Sequence, residues 1–171
     1  MRRLSLIILT LIPLFAVVIN CKQPADENNQ LQTKVDSLQK KLNSAYIPGT
    51  GEIMNGIVQP HHLKLWLAAQ NNNWELAEYE RHLLAGGFKR IRIYHKDQPE
   101  GTAVAMIDPA MDAIEKAIRE KDASAFDRSY TLLTADCNTC HQALKYGFNV
   151  IVIPTTKNPV NQSFKSVNLH K

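Results

Sequence analysis

The sequence predicts an all-α protein: a four-helix bundle that follows a partly helical stalk and precedes an extended tail. Three observations support this fold class. Apolar residues recur at helical intervals through most of residues 52–148. Asn-rich, Gly-Gly and Lys-Asp breaks divide that segment into stretches of helical length. Only residues 150–153 form a β-branched run of the kind that is typical of a strand.

The first 20 residues are interpreted as a secretory signal. Arg2 and Arg3 precede an uncharged apolar run that is too short and wrongly flanked for a membrane span. The run ends at Cys21, and Val-Ile-Asn-Cys resembles a bacterial lipobox, in which cleavage precedes a diacylated cysteine. The resemblance implies lipid anchoring at Cys21, although Asn20 replaces the usual small residue. An uncleaved N-terminal anchor with an incidental cysteine is the alternative.

Half of the net positive charge belongs to this signal. The chain has 20 Lys plus Arg and 16 Asp plus Glu, and beyond residue 20 the balance is 18 to 16. No Lys/Arg cluster accompanies this small excess, so a phosphate-binding face is not supported. We therefore exclude nucleic acid as the expected partner.

Residues 21–48 are predicted to form a polar stalk. Four apolar residues recur at intervals of four, three and four, namely Leu31, Val35, Leu38 and Leu42. This heptad stripe is shorter than a secure coiled coil requires, so weak self-association and a solvated linker both stay open. Pro48 and Gly49 then mark the start of the bundle, which is assigned to residues 49–149.

The spacing predicts four helices in the bundle. The first covers residues 53–70 with an interruption at Pro60. The second covers about 74–84, with Asn73 as N-cap and Gly86-Gly87 as its end. Residues 89–102 are expected to connect it to the third helix, which begins around Asp108-Pro109 and carries a stripe of Ile107, Met111, Ile114 and Ile118. The fourth helix extends to Phe148.

The fourth predicted helix carries Cys137-Asn138-Thr139-Cys140-His141, the CxxCH pattern of covalent c-type haem attachment. On a helix, positions three apart lie about 60° apart around the axis, so both sulfurs reach one edge of a porphyrin. His141 then becomes the proximal iron ligand. The cofactor expected is one covalent haem c with its iron.

Two other uses of this cysteine pair are weighed. A thioredoxin-like dithiol requires CxxC at the start of a helix within a βαβ unit, and no strand pattern precedes Cys137. A structural zinc site requires further ligands at suitable spacing, and the chain has no second cysteine pair. Haem attachment is therefore favoured over both.

Four helices with CxxCH on the last one resemble the cytochrome c prime and cytochrome c-556 group, over about residues 51–148. Lys145 matches a basic residue that this group often carries four positions after the haem histidine. Leu144 stands where the group often has an aromatic residue. The lipobox, the stalk and residues 150–171 depart from the group. That tail is expected to be extended, packed on the bundle and shielding a haem edge.

The resemblance implies a distal residue from the first helix. Met54, His61 and His62 are the candidates there, and helical phase places His62 among apolar residues, whereas His61 shares its face with Lys64. We therefore expect His62 to be the sixth ligand or a distal residue, with Met54 as the alternative sixth ligand. A hydrogen-bonded histidine away from the iron stays open.

The functional hypothesis is a non-enzymatic, lipid-anchored monohaem cytochrome that transfers electrons between redox partner proteins of the cell envelope. It would lie on the periplasmic side, and the outer membrane is slightly favoured. The alternative is a gas-binding or sensing haem protein with five-coordinate iron. The basic run of Lys89, Arg90 and Arg92 is interpreted as a solvated face, with haem propionates or an acidic partner as alternatives.

Overall fold

The computed structural model describes residues 25–155 and 162–164. The chain divides into two compact units, one ending at Tyr46 and the other beginning at Ile47. Every regular element in the described ranges is helical, which confirms the all-α prediction. The predicted signal, Cys21 and most of the tail beyond residue 155 lie outside the described residues.

The first unit contains helix α1, Ala25–Asn43. Asp26 and Glu27 in its first turn and Lys40 and Lys41 in its last turn complement the helix dipole. The predicted heptad stripe is exposed to solvent along α1: Leu31, Val35, Leu38 and Leu42 are 48–67% exposed. Within the described ranges, no helix combines the length and the apolar content that crossing a bilayer requires.

The second unit begins with a continuous helical segment of changing pitch. Helix α2, Thr50–Ile53, passes into a π-helical turn, Met54–Val58, and then into helix α3, Gln59–Gln70. The Gln59 amide donates to the Met54 carbonyl, five residues back. Pro60 stands in the first turn of α3, where its missing N–H is tolerated. The interruption predicted at Pro60 is therefore a π-helical turn that ends at Val58, two residues before the proline.

Helix α4, Trp74–Tyr94, begins after Asn73, whose side-chain oxygen accepts the Leu76 N–H at 3.2 Å, as an N-cap does. The predicted end of this helix at Gly86-Gly87 is wrong, because the helix continues for two further turns. Gly87 serves a close approach instead: a Cβ there would lie 2.9 Å from Val58 Cγ2. Burial of Phe88 and Ile91 offsets the low helix propensity of the glycine pair.

The connector predicted at residues 89–102 is shorter than expected, because α4 continues to Tyr94 and the next helix begins at Pro99. Helix α5, Pro99–Ala103, and a 3₁₀ turn, Val104–Ile107, lead directly into helix α6, Asp108–Glu120. The predicted apolar stripe of α6 is buried: Ile107, Met111, Ile114 and Ile118 are at most 6% exposed. Lys121 then takes a left-handed conformation, with φ of 54°, and ends the helix.

Helix α7, Ala123–Ala143, begins at Asp122, whose carboxylate accepts the Ala125 N–H at 2.9 Å. It ends before the predicted Phe148. The Tyr146 N–H donates to the His141 carbonyl at 2.6 Å and the Lys145 N–H to the Gln142 carbonyl at 3.1 Å. Lys145 is left-handed, with φ of 66°. This pattern is a Schellman motif, which satisfies the last carbonyls and stops the helix.

The four long helices of this unit pack in a closed order, α3 on α4, α4 on α6, α6 on α7 and α7 on α3. They enclose one core whose largest fully buried side chains include Leu65, Leu84, Ile114, Phe126 and Tyr130. After α7 the backbone is irregular to Thr155, with Ile151 and Ile153 packed against the core and Val152 exposed. Phe164 also belongs to the core and is 4% exposed.

Candidate functional site

A cleft of about 50 Å³ lies at one end of the helical core. Its walls are formed by the π-helical turn and the start of α3, by α4, by the 3₁₀ turn before α6, and by the end of α7 with the segment that follows it. Phe88, Val104, Ile107 and Ile151 make much of the lining apolar. A concave, mostly apolar lining with a few polar groups is typical of a small-molecule or cofactor site.

The predicted site residues meet at this cleft. Met54, His62, Cys137, Cys140 and His141 all line it, although up to 87 residues separate them in the chain. On α7, Cys140 and His141 follow Cys137 by three and four residues, which puts all three side chains on one side of the helix. Cys137 is 9% exposed and Cys140 is 4% exposed, so both thiols belong to the cleft rather than to the outer surface.

His141 has a defined tautomer. Its Nδ1 lies 2.6 Å from the backbone carbonyl of Asn149, which can only accept a hydrogen bond. Nδ1 therefore carries the proton, and Nε2 of the neutral ring has a free lone pair. A backbone carbonyl on the other ring nitrogen is the arrangement that orients histidine ligands of metals and raises their basicity. The Schellman turn after α7 brings Asn149 into position for this contact.

The two thiols are held in their neutral form. Burial raises the pKa of Cys137 to about 12, with further contributions from Cys140 and Asp136. Burial, followed by Glu100, raises the pKa of Cys140. Both residues lie in the last two turns of α7, where the helix dipole disfavours a thiolate. A redox dithiol of the thioredoxin kind has the opposite setting, a helix N-terminus and a lowered thiol pKa, so this alternative loses support.

His62 is 5% exposed, and a hydroxyl group faces each nitrogen of its ring. Its Nδ1 lies 2.8 Å from the Tyr130 hydroxyl, and its Nε2 lies 3.3 Å from the Thr134 hydroxyl. The Tyr130 hydroxyl also donates to the His62 carbonyl at 2.8 Å. Because that proton goes to the carbonyl, Nδ1–H of the neutral ring donates to the Tyr130 oxygen. The Thr134 hydroxyl donates to the Tyr130 carbonyl at 2.9 Å, so Nε2 keeps its lone pair. Burial lowers the pKa of His62 to about 4, so the ring is neutral at pH 7.

Met54 and His61 differ in their relation to the cleft. Met54 lies in the π-helical turn and lines the cleft. Such turns are common at functional sites, because they redirect side chains within a helix. His61 is absent from the lining and its Nδ1 donates to Glu80 of α4 at 2.6 Å. Glu80 is 1% exposed, and no pattern in the sequence predicts this buried pair.

Asn138 is a residue of the CxxCH segment to which sequence reasoning assigned no role. Its amide nitrogen donates to the Ile151 carbonyl at 2.8 Å, and its amide oxygen accepts the Ile151 N–H at 2.8 Å. This two-point contact ties the irregular segment after α7 back to the helix beside the cysteines. Ile151 thereby closes one side of the cleft. Hydrophobic periodicity in a sequence cannot reveal a hydrogen bond between a side chain and the backbone of a distant residue.

A second cleft of about 160 Å³ adjoins the first. Met54, Cys140 and His141 border both clefts, and Tyr146 closes the second one. The Tyr146 hydroxyl donates to Glu100 at 3.3 Å, which links the turn after α7 to α5. His141 is thus half-buried between two adjoining spaces.

Among residues 25–155 and 162–164, no three His, Cys, Asp or Glu side chains are grouped as a protein-only metal-ion site. Comparisons of the chain with protein-family models, with curated proteins and with solved structures give no match.

Proposed function

We propose that this protein is a monohaem c-type cytochrome that carries electrons in the cell envelope. The observation that carries the proposal is the hydrogen bond from His141 Nδ1 to the Asn149 carbonyl. It leaves Nε2 available as an iron ligand, directly after two buried cysteines at the CxxCH spacing. When bound, haem supplies a one-electron couple, and every other part of the site is made by this chain.

The residues present fit a covalent haem. Cys137 and Cys140 would hold it through thioether bonds, and His141 would bind its iron on the proximal side. Phe88, Val104 and Ile107 exclude water from the cleft, which influences the redox potential. Two hydrogen bonds join α7 to the segment that follows it on the proximal side. Asn138 donates to the Ile151 carbonyl, and His141 Nδ1 donates to the Asn149 carbonyl.

On the distal side of the haem, the proposed ligand is His62, and Met54 is the alternative ligand. His62 is neutral, and contact with Tyr130 orients its ring at a centroid distance of 4.5 Å. The tautomer that donates to Tyr130 presents Nε2 as a ligand atom. A closed, six-coordinate iron of this kind is suited to electron transfer rather than to ligand capture.

One observation favours the alternative function, a gas-binding or sensing haem protein. Hydroxyl groups face both ring nitrogens of His62, which is the setting of a distal hydrogen-bonding residue as much as that of a ligand. In that arrangement the iron would stay five-coordinate, and His62 would contact a small bound molecule.

The proposal extends to the rest of the chain. The closed packing of α3, α4, α6 and α7 is proposed to be a four-helix bundle of the kind that holds cofactors between facing helices. Cleavage before Cys21 and its acylation would anchor the protein on the periplasmic side, with α1 as part of the stalk. Its partners would be redox proteins of the envelope.

Expression with the haem-attachment machinery tests the proposal. Covalent haem should stain the denatured protein in a gel, and the Cys137→Ala, Cys140→Ala double variant should lose that stain. His141→Ala should retain the attached haem but change its optical spectrum, since it alters a ligand rather than the attachment. A mature protein without covalent haem would contradict both candidate functions.

The reduced spectrum with and without carbon monoxide separates the two candidates. A low-spin spectrum that the gas leaves unchanged supports electron transfer, whereas a high-spin iron that binds the gas readily supports the sensor. His62→Ala and Met54→Ala then identify the sixth ligand, because only the true ligand is needed for the low-spin spectrum. If both variants stay low-spin, each of these residues is excluded.

A further inference from the structure

Helix α1 carries an apolar stripe that is open to solvent. Leu31, Val35, Leu38 and Leu42 are 48–67% exposed, and every residue from 26 to 43 is exposed. Eight of the 19 residues of α1 are Asn, Asp, Ser, Thr or Val, which are weak helix formers. Most of the stability of a protein helix comes instead from packing of its apolar face. We therefore expect the stripe to have a partner.

The residues of the stripe fit the core of a two-stranded coiled coil. Their spacing assigns Leu31 and Leu38 to position d of a heptad, and Val35 and Leu42 to position a. A β-branched residue at position a with leucine at position d favours two strands. One heptad before Val35, position a holds Asn28, and a single asparagine there specifies register and the number of strands. The occupant that these positions select is a second copy of the same helix.

The charges beside the stripe favour a parallel orientation of the two helices. Position g holds Glu27, Lys34 and Lys41, whereas position e holds Gln32 and Gln39. In a parallel pair, each residue at position g faces position e of the other helix, so the lysines face neutral side chains. In an antiparallel pair that keeps the four apolar residues together, position g faces position g, and Lys34 of one copy lies beside Lys41 of the other. Repulsion between these lysines disfavours the antiparallel pair.

We propose that α1 pairs with α1 of a second copy of this chain as a parallel, in-register coiled-coil dimer. This pairing does not depend on haem and uses a surface to which the proposed function assigns no contact. The proposed lipid anchor at residue 21 would hold the N-terminal ends of both helices at one membrane surface. Such tethering raises their effective concentration, which compensates for a stripe with fewer heptads than coiled coils usually have.

Cysteine cross-linking of the full-length protein in its membrane tests the dimer. Leu31→Cys places a thiol at position d, where the two copies meet in a parallel, in-register pair. Thr33→Cys is the matched control, because residue 33 is exposed at position f, on the opposite face of the helix. After mild oxidation, a non-reducing gel should show a disulfide-linked dimer for Leu31→Cys and not for Thr33→Cys. The wild type corrects for disulfides of the native cysteines.

Two further arms test the interface and its orientation. Adding Leu38→Asp to Leu31→Cys should abolish the cross-link, because it puts a charge into the apolar stripe, whereas adding Lys40→Asp at position f should leave the cross-link in place. Leu31→Cys and Leu42→Cys chains with tags of different size are then expressed together. A parallel pair keeps these two thiols about 16 Å apart along the axis, so no mixed dimer should form. An antiparallel pair would join them.

Each contrary outcome overturns a specific statement. If Leu31→Cys cross-links no more than Thr33→Cys, the dimer is overturned and the proposed haem function is unaffected. A cross-link that survives Leu38→Asp overturns the stripe as the interface, and a mixed dimer of the Leu31→Cys and Leu42→Cys chains overturns the parallel orientation. A protein that cross-links through Leu31→Cys but carries no covalent haem contradicts the proposed function alone.

Discussion

The two histidines that line the cleft have different hydrogen-bond partners, and these partners limit what each ring can do. A carbonyl faces His141 Nδ1 and defines one tautomer, whereas hydroxyls face both nitrogens of His62. Carbonyls only accept, but hydroxyls donate or accept. His141 is therefore committed to presenting Nε2, while His62 can act either as a ligand or as a hydrogen-bonding distal residue.

His62 should make stability depend on pH. Its pKa is about 4 in the folded protein against 6.5 ordinarily. Between these values the unfolded chain binds a proton that the folded protein does not, so stability is full above pH 6.5 and falls as the pH decreases to 4. The loss amounts to about 3 kcal/mol. Urea unfolding at several pH values should show this decrease in the wild type.

His62→Gln should flatten that decrease, because glutamine does not titrate in this range. His82→Gln is the control, since His82 is exposed and should leave the pH dependence of the wild type intact. An unchanged pH dependence in His62→Gln would assign the decrease to other groups.

At the scale of elements, the contact between the π-helical turn and α4 determines how closely α3 and α4 approach each other. Gly87 faces Val58 and Ile57 at this junction. Any side chain at position 87 would separate α4 from the segment that carries Met54 and leads into His62. The glycine pair thus belongs to the interior of a helix, and its role is close packing.

Gly87→Ala should lower the free energy of unfolding by about 1–3 kcal/mol, because its Cβ would overlap the rigid Val58 side chain at 2.9 Å. Gly86→Ala is a matched control one residue away, where the nearest atom is Arg90 Nη1 at 3.7 Å. It should raise stability by up to about 1 kcal/mol, since alanine has the higher helix propensity. Chemical denaturation measures both values, and equal effects of the two substitutions would refute the close-packing role.

At the scale of the whole second unit, the chain beyond α7 completes the core. Asn138 holds Ile151 against the cleft, and Phe164 is buried in the common core although it lies 21 residues beyond Ala143, the last residue of α7. The four helices alone therefore leave apolar surface that later residues cover. Truncation after α7 would expose that surface.

Phe164→Ala should destabilise the protein by about 3–5 kcal/mol, the usual result of removing a buried phenylalanine ring. Phe148 is 85% exposed, so Phe148→Ala should change stability by no more than about 0.5 kcal/mol. Thermal and urea unfolding of the two variants should differ accordingly. A Phe164 variant as stable as the Phe148 variant would show that the tail adds little to the core.

The sequence by itself determined the helical class, the N-cap at Asn73 and the CxxCH segment, because periodicity, capping and motif spacing are local properties. It also brought Met54 and His62 forward as candidates. It misjudged the end of α4, because the local signal of two glycines was overridden by packing against Val58. The end of α7 was misjudged too, since Lys145 adopts a left-handed conformation that is usual for glycine.

Only the tertiary structure decided which groups surround the candidate site. Three contacts depend on how helices and irregular segments meet: the Asn149 carbonyl on His141, the hydroxyls around His62 and the Asn138 contact with Ile151. Such contacts join residues through geometry that no spacing rule encodes. The five-residue motif predicts the haem chemistry, whereas the surroundings of that motif arise from the packing of the whole unit.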